Sequence, residues 1–196
     1  YMTMQVLVKD KLINLAVKFH SRETTQARLV DKLIKQAKKY VKVKVVLLDR
    51  GFRDVKILNN LEYRQTPVLM PMVKDKKGEK YFEELGKRNF RAVKYWLKNK
   101  EGEFADVKLL MIKLSNGKEI GFYTTLRNTW LHNGNYYLNI YKKRWKIETG
   151  YRLQNMFLAK TTSTNKVIRY FYFCYAIAMH NLWLIIKQTT KIGKMF

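Results

Sequence analysis

The segment that most restricts the fold is VKVKVVLLDRGF, residues 41–52. It alternates through its first half, then runs apolar from Val45 to Leu48 and stops at Asp49. That pattern predicts a strand over 41–49 with a carboxylate at its carboxyl end. Helical periodicity stands on both sides. Thr24 or Thr25 caps a helix reaching about Tyr40, with Ala27, Val30, Leu33, Ile34 and Ala37 on one face, and a second short helix covers 53–61. A strand set between two helices belongs to an α/β architecture. TPVLMPMV, 66–73, adds a strand whose two prolines suit a strand start or an edge. Ahead of all these, residues 2–8 and 12–19 are β-rich and read as a hairpin.

Beyond residue 73 the texture changes. Residues 74–106 are highly charged, with Gly78, Gly86 and Gly102, and read as an insertion. VKLLMIKLS and IGFYTTL flank Asn116-Gly117, which predicts a hairpin. After a loop at 133–135, two helices follow over roughly 136–158 and 164–188. The expected organisation is a core made of 1–73 and 134–190, with a β-rich insertion at 74–133 ahead of the helix that carries Glu148.

Charge sets the partner class. The chain has 40 basic and 15 acidic residues, a formal net charge of +25, while 47% of its residues are hydrophobic. Enough apolar mass for a packed core excludes a disordered basic tail. Self-repulsion on that scale points to a polyanion, with DNA or RNA ahead of an anionic membrane. Residues 167–186 nearly reach spanning length, but Arg169, His180 and Asn181 interrupt them, so a helix packed on a sheet is expected. Cys174 is the single cysteine, which excludes an internal disulfide and fits a reducing, intracellular setting. His20, His132 and His180 have no partner at metal-ligand spacing, and His180 reads as a core or interface residue.

One stretch stands apart: YKKRWKIETGYRLQN, residues 141–155. On a single helix Tyr141, Arg144, Glu148, Arg152 and Asn155 fall within about 80° of one another. Leu138, Trp145 and Met156 flank one side of this stripe, Ile140, Ile147 and Leu158 the other, and Gly150 and Gln154 lie on the back. A polar stripe between apolar flanks is expected to face a cleft, the reverse of a solvated ion-pair helix. The plain alternative is an Arg144–Glu148 pair at i, i+4, in the weaker order. Asp49 has two readings as well, as a turn cap or as a carboxylate at a strand end where α/β sites gather. Asp49 and Glu148 together suit a divalent cation, because Mg²⁺ takes one or two carboxylates and completes its shell with phosphate oxygens and water.

The spacing of Tyr141, Arg144 and Glu148, with LLDRGF at 47–52, resembles DDE transposases of prokaryotic insertion sequences, in the group with the Tyr-Arg-Glu-Lys signature. The resemblance implies a ribonuclease H-like mixed sheet flanked by helices. It implies Asp49 and Glu148 as catalytic, metal-holding acids with Mg²⁺ or Mn²⁺, and metal-dependent cleavage and strand transfer at transposon ends. Tyr141 and Arg144 would position phosphate. Asn155 occupies the place of the signature Lys, and Arg152 and Lys160 are candidates to contact DNA in its stead. The implied partners are double-stranded DNA and a second copy of the chain on paired ends, and the implied location is a prokaryotic cytoplasm, at the nucleoid. The first acid of the triad is expected on a strand before residues 2–8. Asp10 at the hairpin turn and Asp31 on a helix are poor substitutes, so the first acid is expected to be missing, cut off at the amino end or lost in a decayed gene copy, and the chain inactive alone. The second reading is a basic DNA- or RNA-binding fragment without catalysis.

Overall fold

The computed structural model describes residues 1–8, 11–21, 23–73 and 76–192. Asp10 lies outside the described residues. Strands β1 (Met2–Val8) and β2 (Lys11–Lys18) pair antiparallel as a two-stranded sheet. Helix α1 (Gln26–Ala37) starts at Thr25, whose hydroxyl accepts from the Arg28 amide at 3.3 Å. Its buried face is the expected one with Leu29 added. Strand β3 is only Val46–Leu47, well short of the predicted 41–49. Among the described residues 41–45 pair with no strand. Helix α2 (Val55–Tyr63) is capped by Asp54, and β4 (Val68–Pro71) runs parallel to β3.

The segment read as an insertion contributes α3 (Lys76–Glu83), β5 (Phe90–Lys98), β6 (Phe104–Lys113) and β7 (Glu119–Thr124). The β6–β7 connection turns at Asn116-Gly117, where Gly117 has φ +79°, a backbone region that favours glycine. Strand β7 pairs antiparallel with β4, so one five-stranded sheet runs β3-β4-β7-β6-β5. The sheet is mixed and flanked by helices, as expected. On one face Ile34 of α1 and Ile57, Leu58 and Leu61 of α2 share a core with Met70, Leu109, Met111 and Tyr123. On the other, Leu69, Leu110, Ile112 and Phe122 meet Tyr137 of the next helix.

The helix predicted over 136–158 is two helices, α4 (Gly134–Lys142) and α5 (Trp145–Asn155). Between them the amides of Lys143 and Arg144 bond back three residues, to Ile140 and Tyr141. This tighter turn lets α4 follow the sheet while α5 leans on the hairpin. Helix α6 (Lys166–Ile192) packs on β2 and α5. Asn181 clamps it to the hairpin, donating to the Asn14 carbonyl at 2.8 Å and accepting from the Asn14 amide at 3.1 Å. No helix among the described residues is long and apolar enough to cross a membrane.

Candidate active site

The chain leaves β3 at Leu48 and turns at once through a short 3-10 turn, Arg50–Phe52. Asp49 caps that turn, one carboxylate oxygen accepting from the Gly51 amide at 2.8 Å. Its other oxygen is the one nearer Arg144. Tyr141, in the last turn of α4, packs its ring on Phe122 at 5.1 Å and donates its hydroxyl to the Leu48 carbonyl at 3.2 Å. The helix end is thus tied to the strand end that carries Asp49. Burial raises the Tyr141 phenol above its usual range, with Arg144 working against that.

Arg144 occupies the α4–α5 junction. Its Nη1 lies 4.0 Å from the free Asp49 oxygen and its Nη2 lies 3.4 Å from Glu148 Oε1. One guanidinium therefore touches both carboxylates, one from a strand end and one from a helix first turn. The Arg144 side chain is 19% exposed, whereas those of Asp49 and Glu148 are 56% and 61% exposed. Arg144 Nε is buried with no hydrogen-bond partner among the described residues.

The stripe on α5 does not face inward. Glu148, Arg152 and Asn155 are exposed, as are Trp145 and Met156, which were expected to flank a cleft. Gly150 and Gln154, placed on the back, are the buried residues of α5. A Cβ at position 150 would stand 2.7 Å from Leu12 Cδ2 of β2, so the absence of a side chain is what admits the hairpin. Hydrophobic flanks misled because the smallest residue, not the largest, makes the contact. Asp49, Tyr141, Arg144 and Glu148 come together at an open mouth. Arg152 and Asn155 follow Glu148 by one and two turns, and Lys160 lies exposed in the loop after α5.

Sequence reasoning passed over Arg50, whose charge reaches Tyr141, although it sits beside Asp49 in the quoted motif. Asp31, read as a poor substitute for the first acid, pairs with Arg64 across the α1–α2 interface. His132 stacks on Tyr136 at 3.7 Å, and His180 is buried with Nδ1 3.4 Å from Asn14 Nδ2. Burial holds the His180 imidazole below its ordinary range.

The donor set at the mouth is all oxygen and it is solvent-accessible. That fits a hard divalent ion, which needs one or two carboxylates and room for water and phosphate. No group of three or more His, Cys, Asp or Glu gathers among the described residues.

A family model described as "Transposase DDE domain" matches residues 2–182. The fold is similar to that in "Cryo-EM structure of piggyBac transposase synaptic complex with hairpin DNA (SNHP)", with a TM-score of 0.54 at 12% identity. The alignment covers 88% of this chain and 37% of that one, so this chain spans well under half the length of that relative. No curated protein matches the sequence.

Proposed function

The chain belongs to the transposase DDE domain family, and on that premise we propose that it carries the catalytic domain of a DNA transposase, one that cleaves phosphodiesters and transfers strands at transposon ends. The observation that carries this reading is the meeting of Asp49 and Glu148 on the Arg144 guanidinium. Asp49 and Glu148 would hold Mg²⁺ or Mn²⁺, which supplies Lewis-acid stabilisation of charge on the phosphodiester oxygens. Arg144 offsets the repulsion between the two acids, and its guanidinium suits a phosphate oxygen. Tyr141 has its one O–H committed to the Leu48 carbonyl, so it acts by keeping Asp49 and Arg144 side by side. Arg152, Asn155 and Lys160 are exposed and would suit backbone contacts to double-stranded DNA.

The same reading assigns the chain to the insertion-sequence group with the Tyr-Arg-Glu-Lys signature, with Asn155 in the Lys position. It keeps 1–73 and 134–190 as core and 74–133 as insertion, and it places a dimer on paired ends at the nucleoid. A second reading, DNA or RNA binding without cutting, draws support from a mouth where two acids, not three, gather among the described residues. One experiment separates them. The purified chain is incubated with supercoiled plasmid and Mg²⁺ or Mn²⁺ beside Asp49→Ala and Glu148→Ala. Nicking by the parent that disappears in both variants supports the catalytic reading. Binding that persists in all three with no nicking supports the second, and in either case affinity should fall linearly with salt on a log–log plot.

A further inference from the structure

The sheet face that α4 covers is only half covered. Phe90 and Ala92 of β5 pack under α4 with Leu110 and Ile112 of β6. By the two-residue period of a strand, Lys94, Trp96 and Lys98 share that face and continue past the end of the helix. All three are exposed, while Tyr95 and Leu97 between them are buried in the opposite core. Trp96 is 58% exposed and Trp130, at the rim of the same face, is 72% exposed. Trp145 of α5 is open as well, but Trp96 and Trp130 share one face, and two indoles left open side by side need a reason, since the indole is ordinarily among the more buried side chains.

Trp130 is held, not loose. It lies in the 3-10 turn Thr129–Leu131, and Thr129 is buried with its carbonyl accepting from the Tyr137 hydroxyl at 3.1 Å. Lys108 braces the approach to that turn, donating to the Leu126 carbonyl at 3.2 Å and to the Arg127 carbonyl, and its ammonium lies 5.8 Å from the Trp130 ring centroid. Directly across the β5–β6 ladder stands Lys94, paired in register with Lys108. Like charges directly opposite on neighbouring strands destabilise a sheet unless an anion lies over them. A cavity of about 730 Å³ opens here, lined by Arg91, Lys94, Lys108, Trp130 and His132 among others, with no carboxylate in its lining. Asp106, opposite Trp96, is an acid on the adjoining part of the face.

We propose that this face binds an unpaired nucleic-acid strand, one base stacking on Trp130, another on Trp96, and the backbone between them crossing Lys94. Base-on-aromatic stacking with cations tracking the phosphates is the general physics of single-strand recognition. Lys94 and Trp96 are separated by roughly 7 Å along the strand. The platform lies at the β5 edge, four strand spacings or roughly 20 Å from the β3 edge that carries Asp49. It therefore stands independently of the reading of Asp49 and Glu148.

The test uses the full chain with fluorescently labelled oligothymidylate and oligouridylate of about ten nucleotides, within the span of known single-strand sites, and a duplex of equal length. Trp96→Ala and Trp130→Ala remove exposed rings, and circular dichroism checks that each variant folds. Each is expected to weaken single-strand binding by roughly tenfold while duplex affinity moves less than about twofold. Lys94→Glu should weaken single-strand binding and flatten its salt dependence. Single-strand binding is read with no metal added, so failure here is distinct from failure of the cleavage reading. The DNA and RNA arms tell which strand is preferred. Equal losses on duplex and single strand, no loss in the double tryptophan variant, or no single-strand binding by the parent would each overturn the proposal.

Discussion

Two aspartate–arginine contacts in this molecule use the same chemistry and are built differently. At the α1–α2 interface Arg64 meets Asp31 with two parallel hydrogen bonds, Nε to one carboxylate oxygen and Nη2 to the other at 2.8 Å. Both side chains are partly buried, and the Arg64 hydrogen bond holds the Asp31 carboxyl below the usual range. Charge and hydrogen-bonding capacity are matched there. At the β3–α5 mouth Arg144 reaches two acids at 4.0 and 3.4 Å, satisfies neither with a short fork, and keeps its own Nε unpartnered. The first pair is complete in itself. The second leaves acceptor oxygens open to solvent. A fork–fork pair fastens two helices, whereas a stretched one with spare oxygens has capacity for a ligand.

The largest expected effect breaks the two apart by metal. Mn²⁺ titration followed by electron paramagnetic resonance should show binding to the parent chain. The Asp49→Ala/Glu148→Ala double variant should bind at least about tenfold more weakly, since losing ligands costs no less than losing their supports. Asp31→Ala should bind as the parent does. Equal metal binding in the parent and the double variant would remove the distinction drawn between the two contacts.

Stability should respond in the opposite sense. Asp31→Ala strands Arg64 and is expected to cost about 1–2 kcal/mol, the range for a charge-assisted fork discounted for partial exposure. Glu148→Ala should stay nearer to about 0.5 kcal/mol, as exposed positions do, and Asp49→Ala, which removes a cap, near the low end of about 0.5–2 kcal/mol. The pH dependence sharpens this. The folded-state pKa of Asp31 is depressed, so its contribution is present above the unfolded carboxyl pKa and is lost as pH falls through the folded one. The parent should therefore lose stability in acid more steeply than Asp31→Ala, a difference read from urea midpoints across that window.

Parts of this comparison were legible in the sequence and parts were not. Asp49 was, because a strand followed by a turn is a local signal and a capping Asp sits at its junction. Thr25 and Asn116-Gly117 were legible for the same reason. The Asp31–Arg64 fork joins residues 33 apart, and no local pattern marks it. The break at Lys143–Arg144 carries neither Gly nor Pro, so nothing in the string separates α4 from α5. The buried face of α5 was misread because the contact is made by Gly150 against Leu12 of a distant hairpin. Local chemistry could name the residues of the mouth. Tertiary packing decided which way they face.

The smallest expected effect concerns the brace at the edge of the mouth. Tyr141→Phe removes only a hydroxyl. The ring stays against Phe122, and the guanidinium of Arg144, 5.5 Å from that ring, keeps its cation–π contact. What is lost is the bond to the Leu48 carbonyl, whose net worth is about 1 kcal/mol. If the hydroxyl serves as the brace, the loss appears in the urea midpoint, while duplex affinity and Mn²⁺ affinity change less than about threefold, because Asp49 is still fixed by the Gly51 amide. A hydroxyl that instead donates to DNA phosphate must leave the Leu48 carbonyl to do so. In that case removing it spares stability and lowers duplex affinity by about tenfold or more, the size of one hydrogen bond to a charged group. Measuring midpoint and duplex affinity on the same variant decides between brace and contact, and a stable Tyr141→Phe that binds duplex poorly would overturn the brace.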